Sequence, residues 1–160
     1  MNLLLCLQGS PFFAGLGDTH VQTLLGLAAV AHFKPGDLLL RQHQTITHCH
    51  VLCEGTVRLD SGDTQGRWMP VQTLPPGSVL GWSWLVPPYH AYFDARALGP
   101  VATVALDTAR LRATMEADHD FGYAILKRAL PVLLSRLQSC RLQMADVYVH
   151  PDARGDAPRP

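Results

Sequence analysis

Apolar residues along this chain come mostly in runs of four to seven, each closed by a turn signal. A first helix is predicted over residues 18–29. Gly17 and Asp18 stand at its start, and Val21, Leu24, Leu25, Leu27 and Ala28 recur at helical spacing. Short strands are predicted at 31–34, 38–41, 50–53, 56–60 and 68–74, divided by Pro35-Gly36, Gly55, Ser61-Gly62-Asp63 and Pro75-Pro76-Gly77. A Trp-rich segment covers 81–86, and strands resume at about 92–98 and 101–106. Strands this short, with turns this frequent, belong to an antiparallel sandwich or barrel.

The period then changes. Asp107 can cap a short helix through Leu111 and Met115, and Asp118 to Asp120 can cap a longer one. That helix, 120–148, carries Leu126, Leu130, Leu133, Leu137, Cys140, Met144 and Val147 at alternating spacings of four and three, an a/d seam. Pro131 should kink it. Before Pro131 the stripe is expected to pack on its own barrel. After it, Arg136, Gln138, Arg141 and Gln143 border a narrow apolar row that suits a partner helix, so Leu133, Leu137, Cys140, Met144 and Val147 are the predicted homodimer seam. Residues 149–160 read as a disordered tail. The fold class is therefore α+β: an antiparallel β-roll of the jelly-roll or double-stranded β-helix kind, with an N-terminal helix and a long C-terminal helix.

Composition narrows the functions. Lys plus Arg is 13 and Asp plus Glu is 13, so the 160-residue chain is formally neutral. That speaks against a broad nucleic-acid footprint or an anionic membrane partner. No apolar run approaches the roughly 20 residues of a membrane helix. Residues 1–7 are too short for a signal-peptide core and lack a basic start. Cys6, Cys49, Cys53 and Cys140 are sparse and irregular, and Cys49 and Cys53 share one strand in poor disulfide geometry. A cytoplasmic, reduced protein is expected.

The order of elements and several local strings resemble the cyclic-nucleotide-binding domain of the Crp/Fnr regulators over about residues 11–148. The strings are Pro11-Phe12-Phe13-Ala14-Gly15-Leu16, Phe33-Lys34-Pro35-Gly36-Asp37, 51–59 turning at Gly55, and 74–81 leading to a phosphate-binding cassette. The resemblance implies a non-catalytic regulatory domain whose ligand site would include Gly81, Trp82, Ser83, Trp84, His90 and Tyr92. The chain departs from the family at the cassette. Where the family follows its glycine with a glutamate for the ribose hydroxyl, Gly81 is followed by Trp82. The family's phosphate-binding arginine, roughly ten residues further on, has no counterpart in 88–93, and a buried phosphate without a cation is costly. His90 offers a positive partner only when protonated, and Arg96 matches a later strand arginine. Cyclic AMP and cyclic GMP are therefore not expected to bind in the usual way. Trp82, Trp84, Tyr89, Tyr92 and Phe93 would fill the vacated space themselves or stack on a flat ligand. No cofactor is expected.

The family's winged helix-turn-helix would not fit in the 12 residues after the helix, so DNA binding is not expected and a protein partner is. Two rival readings stand beside this one. His48, His50 and Glu54 have the His-x-His-x3-Glu spacing of a cupin metal enzyme, but Leu80 stands where a further histidine should be. If Cys49, Val51 and Cys53 face the core, the histidines face solvent. The other rival is a Crp/Fnr-type transcription regulator acting through DNA.

Overall fold

The computed structural model describes residues 2–62 and 65–149. The chain divides into two units, Met1–Ala124 and Ile125–Pro160. In chain order the elements are α1 (Leu3–Gly9), α2 (Asp18–Leu25), β1 (Ala28–Phe33), β2 (Leu38–Leu40), β3 (His48–Glu54), β4 (Val57–Gly62), β5 (Trp68–Leu74) and β6 (Val79–Leu80). A single 3-10 turn (Trp82–Leu85), β7 (Asp94–Ala97), β8 (Val101–Asp107), α3 (Thr108–Ala117) and α4 (His119–Val149) follow.

The strands form two four-stranded antiparallel sheets, ordered β1-β8-β3-β6 and β2-β7-β4-β5. This is the predicted β-roll with helices at both ends. Leu39, Leu52, Val57, Leu59, Leu74, Leu80, Ala95, Ala97 and Val101, drawn from both sheets, make one buried cluster, joined by Phe33, Leu40 and Phe93. Gly55 closes the β3–β4 hairpin at φ +82°, and a Cβ there would collide with the Pro100 carbonyl oxygen, so only glycine fits.

Several boundaries moved for identifiable reasons. The helix predicted over 18–29 ends at Leu25, because Gly26 caps it and Ala28 already pairs with Leu106 as the first residue of β1. Helix α1 was not anticipated; the Asn2 side chain caps it by accepting from the backbone N–H groups of Leu4 and Leu5. Both later caps fall where expected. Asp107 accepts from Arg110 N–H (3.0 Å) and Asp118 from Phe121 N–H (2.9 Å).

The unit beginning at Ile125 is helical through Val149, with Pro131 inside the helix. Leu126 and Leu130 do not pack away before Pro131 as predicted. The buried row in that part of α4 is Phe121, Ile125 and Ala129, at i, i+4 and i+8. Leu126, Leu130, Leu133, Leu134 and Leu137 are instead exposed. The side chains of Cys140, Met144 and Val147, and residues 150–160 of the expected tail, lie outside the described residues.

The expectation of reduced cysteines is corrected. Cys6 on α1 is disulfide-bonded to Cys53 on β3, with Cα atoms 5.3 Å apart. A separation of 47 residues left no local signal of this pairing. Closing a loop of that length restricts the unfolded chain by about 4 kcal/mol on the chain-entropy account. Cys6→Ser should therefore lower the unfolding free energy by about that amount in a denaturant titration. Reductant should have the same effect on the native sequence and none on the variant; an unchanged midpoint on reduction would show that the bridge carries no stability.

Candidate functional site

The cassette begins at Gly81, whose backbone is left-handed (φ +91°) and closely surrounded. An added Cβ would meet Ile46 Cγ2 at 3.4 Å and Leu40 Cδ1 at 3.5 Å. The chain then makes its 3-10 turn and buries both Trp82 and Trp84. The Trp82 ring meets Phe12 edge-on at 4.7 Å, so the turn at 11–15 that follows α1 supplies one wall. The Trp84 carbonyl accepts from Arg112 on α3 (3.0 Å), and the Arg112 guanidinium lies 4.1 Å above the Tyr89 ring. Both indole Nε1 donors are buried with no acceptor among the described residues. Phe93 packs against the roll core, whereas Tyr92 points outward, 63% exposed. Ser83 and His90 are half-buried, and His90 bridges to Thr45. The predicted ligand residues are thus divided between core, turn and surface.

A cavity of about 200 Å³ opens beside them, lined by β2, the turn that follows it and the start of β3. Its chemistry comes from Arg41, Thr45, Thr47, His48 and His50, and Ala91 closes one side. Three backbone hydrogen bonds strap the turn to the cassette: His43 N–H to Ala91 O (2.8 Å), Ile46 N–H to Tyr89 O (2.8 Å) and Ala91 N–H to Gln44 O (2.9 Å). The Thr108 hydroxyl donates to the Ile46 carbonyl at 2.8 Å and fixes the same turn from α3.

The histidines do not both face solvent, as the strand pattern had suggested. β3 is covered on both sides. Leu52 lies in the roll interior, so alternation places His50 on that face, while Cys53 reaches α1. His50 is buried, hydrogen-bonds through Nδ1 to Thr103 Oγ1 (3.0 Å), and meets the Phe33 ring edge-on at 5.6 Å. His48 is exposed, with Nδ1 3.1 Å from Thr47 Oγ1.

The cupin-type triad does not assemble. A register shift between Leu52 and Glu54 breaks the strand parity, and Glu54 does not line the cavity with His48 and His50. No group of three metal-ligating side chains occurs among the described residues. Cys49 is a free, buried thiol; burial pushes its pKa up to about 12, so it stays protonated and is a poor nucleophile.

Two antiparallel sheets closed as a roll, with a cassette turn between β6 and β7 and helices at both ends, define the β-roll class of fold. The chain belongs to the cyclic nucleotide-binding domain family, whose model matches residues 30–118. Solved structures agree. A candidate cyclic nucleotide-binding protein from Geobacter metallireducens GS-15 is 28% identical, with a TM-score of 0.75 over 86% of this chain and 99% of that one. The catabolite activator protein of Thermus thermophilus is 20% identical, with a TM-score of 0.72; the match covers 87% of this chain and 63% of that one. A regulatory subunit of a cAMP-independent protein kinase A from Trypanosoma cruzi, bound to guanosine, is 22% identical, with a TM-score of 0.61 over 66% of this chain and 37% of that one. No curated protein matches by sequence. Among the described residues, no helix is long and apolar enough to cross a membrane.

Burial, and secondarily the neighbouring charge of His48, lowers the His50 pKa from 6.5 to about 4. The unfolded chain takes up this proton first as pH falls. The stabilisation is therefore complete above pH 6.5 and is lost on descent toward pH 4. The loss should be on the order of 3 kcal/mol. Urea unfolding at neutral pH and near pH 4 should show it. His50→Asn, which retains a polar atom toward Thr103, should flatten that part of the profile; an unchanged profile would assign the effect elsewhere.

Proposed function

We propose that this chain is a non-catalytic regulatory or sensory module, folded over about residues 11–148, that dimerises through α4 and signals to a protein partner. It does not take cyclic AMP or cyclic GMP in the family's usual way. The observation that carries this is the cassette itself. The position after Gly81, where the family holds the ribose hydroxyl, is occupied by a buried indole, and no arginine follows in 88–93. A cyclic phosphate entering there would lose its water without gaining a cation from the cassette segment itself. The family is regulatory and typically non-catalytic, and the guanosine-bound kinase subunit of Trypanosoma cruzi supports a β-roll of this kind holding a ligand other than a cyclic nucleotide.

Dimerisation is supported by the leucine row on α4. Leu126, Leu130, Leu133 and Leu137 follow the 4-3-4 spacing of a seam and are 39% to 59% exposed. With about half of each side chain still to be buried, a row like this gains roughly 1 kcal/mol for each leucine covered by a partner helix. A cytoplasmic setting belongs to the same reading, with the Cys6–Cys53 bridge responding to the thiol balance there.

Sedimentation equilibrium should give a dimer for the native chain and a monomer for a Leu133→Glu/Leu137→Glu double variant. A native monomer would remove the seam. Calorimetric titration with cyclic AMP should show no saturable binding at roughly micromolar concentrations; binding in that range would overturn the reading of the cassette.

A further inference from the structure

We propose that the cavity between β2, the 41–47 turn and β3 is a binding site for a small oxyanion, a carboxylate or phosphate group held by Arg41, Thr45 and His48. This rests on the reading above, that the cassette no longer serves a cyclic nucleotide, and it names the chemistry of the ligand that would replace one.

The charge of the lining points to an anion. Arg41 brings a fixed positive charge and His48 an imidazole, His50 stays neutral, and no carboxylate lines the cavity among the described residues. The Arg41 guanidinium makes no ion pair or hydrogen bond with any described residue, so its donors are available. The carboxylate across from His48, Asp107 on β8, does not line the cavity, although the charge of His48 also acts on it. It caps α3 by accepting the Arg110 N–H, and that bond holds its pKa below the usual carboxylate range. Both imidazoles are tied through Nδ1, His48 to Thr47 and His50 to Thr103, which leaves each Nε2 as the free ring nitrogen.

Size points to a small group. A volume of about 200 Å³ is below the ~300–1,000 Å³ of ordinary small-molecule pockets, and a whole nucleotide would not be enclosed. The rim is also fixed in advance. The three straps to the cassette and the Thr108 bond hold the turn's backbone, so a ligand need not order it. Arg41 and Thr45 both belong to that turn and both line the cavity.

The test is amide NMR of the full chain titrated separately with inorganic phosphate, with sodium chloride at matched ionic strength, and with cyclic AMP. Phosphate should shift residues 41–50 saturably, with a Kd of roughly millimolar or tighter. Arg41→Ala, an exposed change that leaves the rest of the spectrum in place, should weaken binding at least about tenfold; His48→Ala should weaken it less. Linear shifts, equal shifts with chloride, or unaltered binding by Arg41→Ala would overturn the site. Saturable cyclic AMP shifts along 81–93 would instead overturn the functional reading, and a silent cyclic AMP arm beside a failed phosphate arm would reject the anion site alone.

Discussion

The structure depends on β3 being enclosed on both faces. One face carries Leu52 into the roll core and His50 beside Thr103 and Phe33. The other lies against α1, and the Cys6–Cys53 bridge fixes that contact covalently. A strand held this way cannot slip in register, because a one-residue shift would exchange a histidine for an apolar side chain on each face. The irregularity between Leu52 and Glu54 is the only departure from even pairing with β8, and it falls after the buried stretch. The strand therefore delivers His48 and His50 to the cavity and excludes Glu54 from it.

Charge is spent elsewhere in this roll than in a nucleotide site. On the second sheet Arg58 makes a two-point bond to buried Asp60 (2.7 and 3.0 Å), and buried Asp94 accepts from the Gln42 backbone N–H (2.8 Å). Arg96 lies 3.8 Å from Asp94 and 3.9 Å from Asp60 and spans the pair. Each buried carboxylate thus has its partner within the sheet. The cassette carries no such ion. It is closed by indole rings, by the Arg112–Tyr89 stack and by backbone bonds, and these hold without a ligand's charge.

Much of the fold was legible because glycine and proline mark its turns. Gly36, Gly55 and Gly77 adopt positive φ where the sequence places turns, and the strands between them follow at nearly the expected limits. The family resemblance was carried by those same strings. Other features left no local trace. The run 3–9 is too short to announce itself as a helix, and its stability comes from the Asn2 cap and from β3. Asp60 is two residues along the strand from Arg58, where alternation places both on one face but does not foretell a two-point bond. The faces of β3 were misassigned because Leu52 and Val51 are both apolar, so alternation alone could not tell the interior from the α1 side. The aromatics of the cassette were recognised, but their division into buried Trp82 and Trp84, core-packed Phe93 and exposed Tyr92 depends on Phe12 and Arg112, distant in sequence.

The straps give the altered cassette a structural role. Tyr89 and Ala91 offer backbone groups, not side chains, to the 43–46 turn, so the segment can lose the family's arginine and still form the wall of a pocket. The opposite side of that turn is bonded to Thr108, the first residue of α3, and His48 pairs in register with Asp107, the residue that caps α3. An occupant of the cavity would therefore bear on the first turn of α3 through the Thr108 bond and the His48–Asp107 pairing. It could shift that turn only by its difference in affinity for two arrangements of the helix. A small anion at Arg41 and His48 makes such a difference because its charge would alter the field at Asp107, whose cap bond to Arg110 holds the helix start.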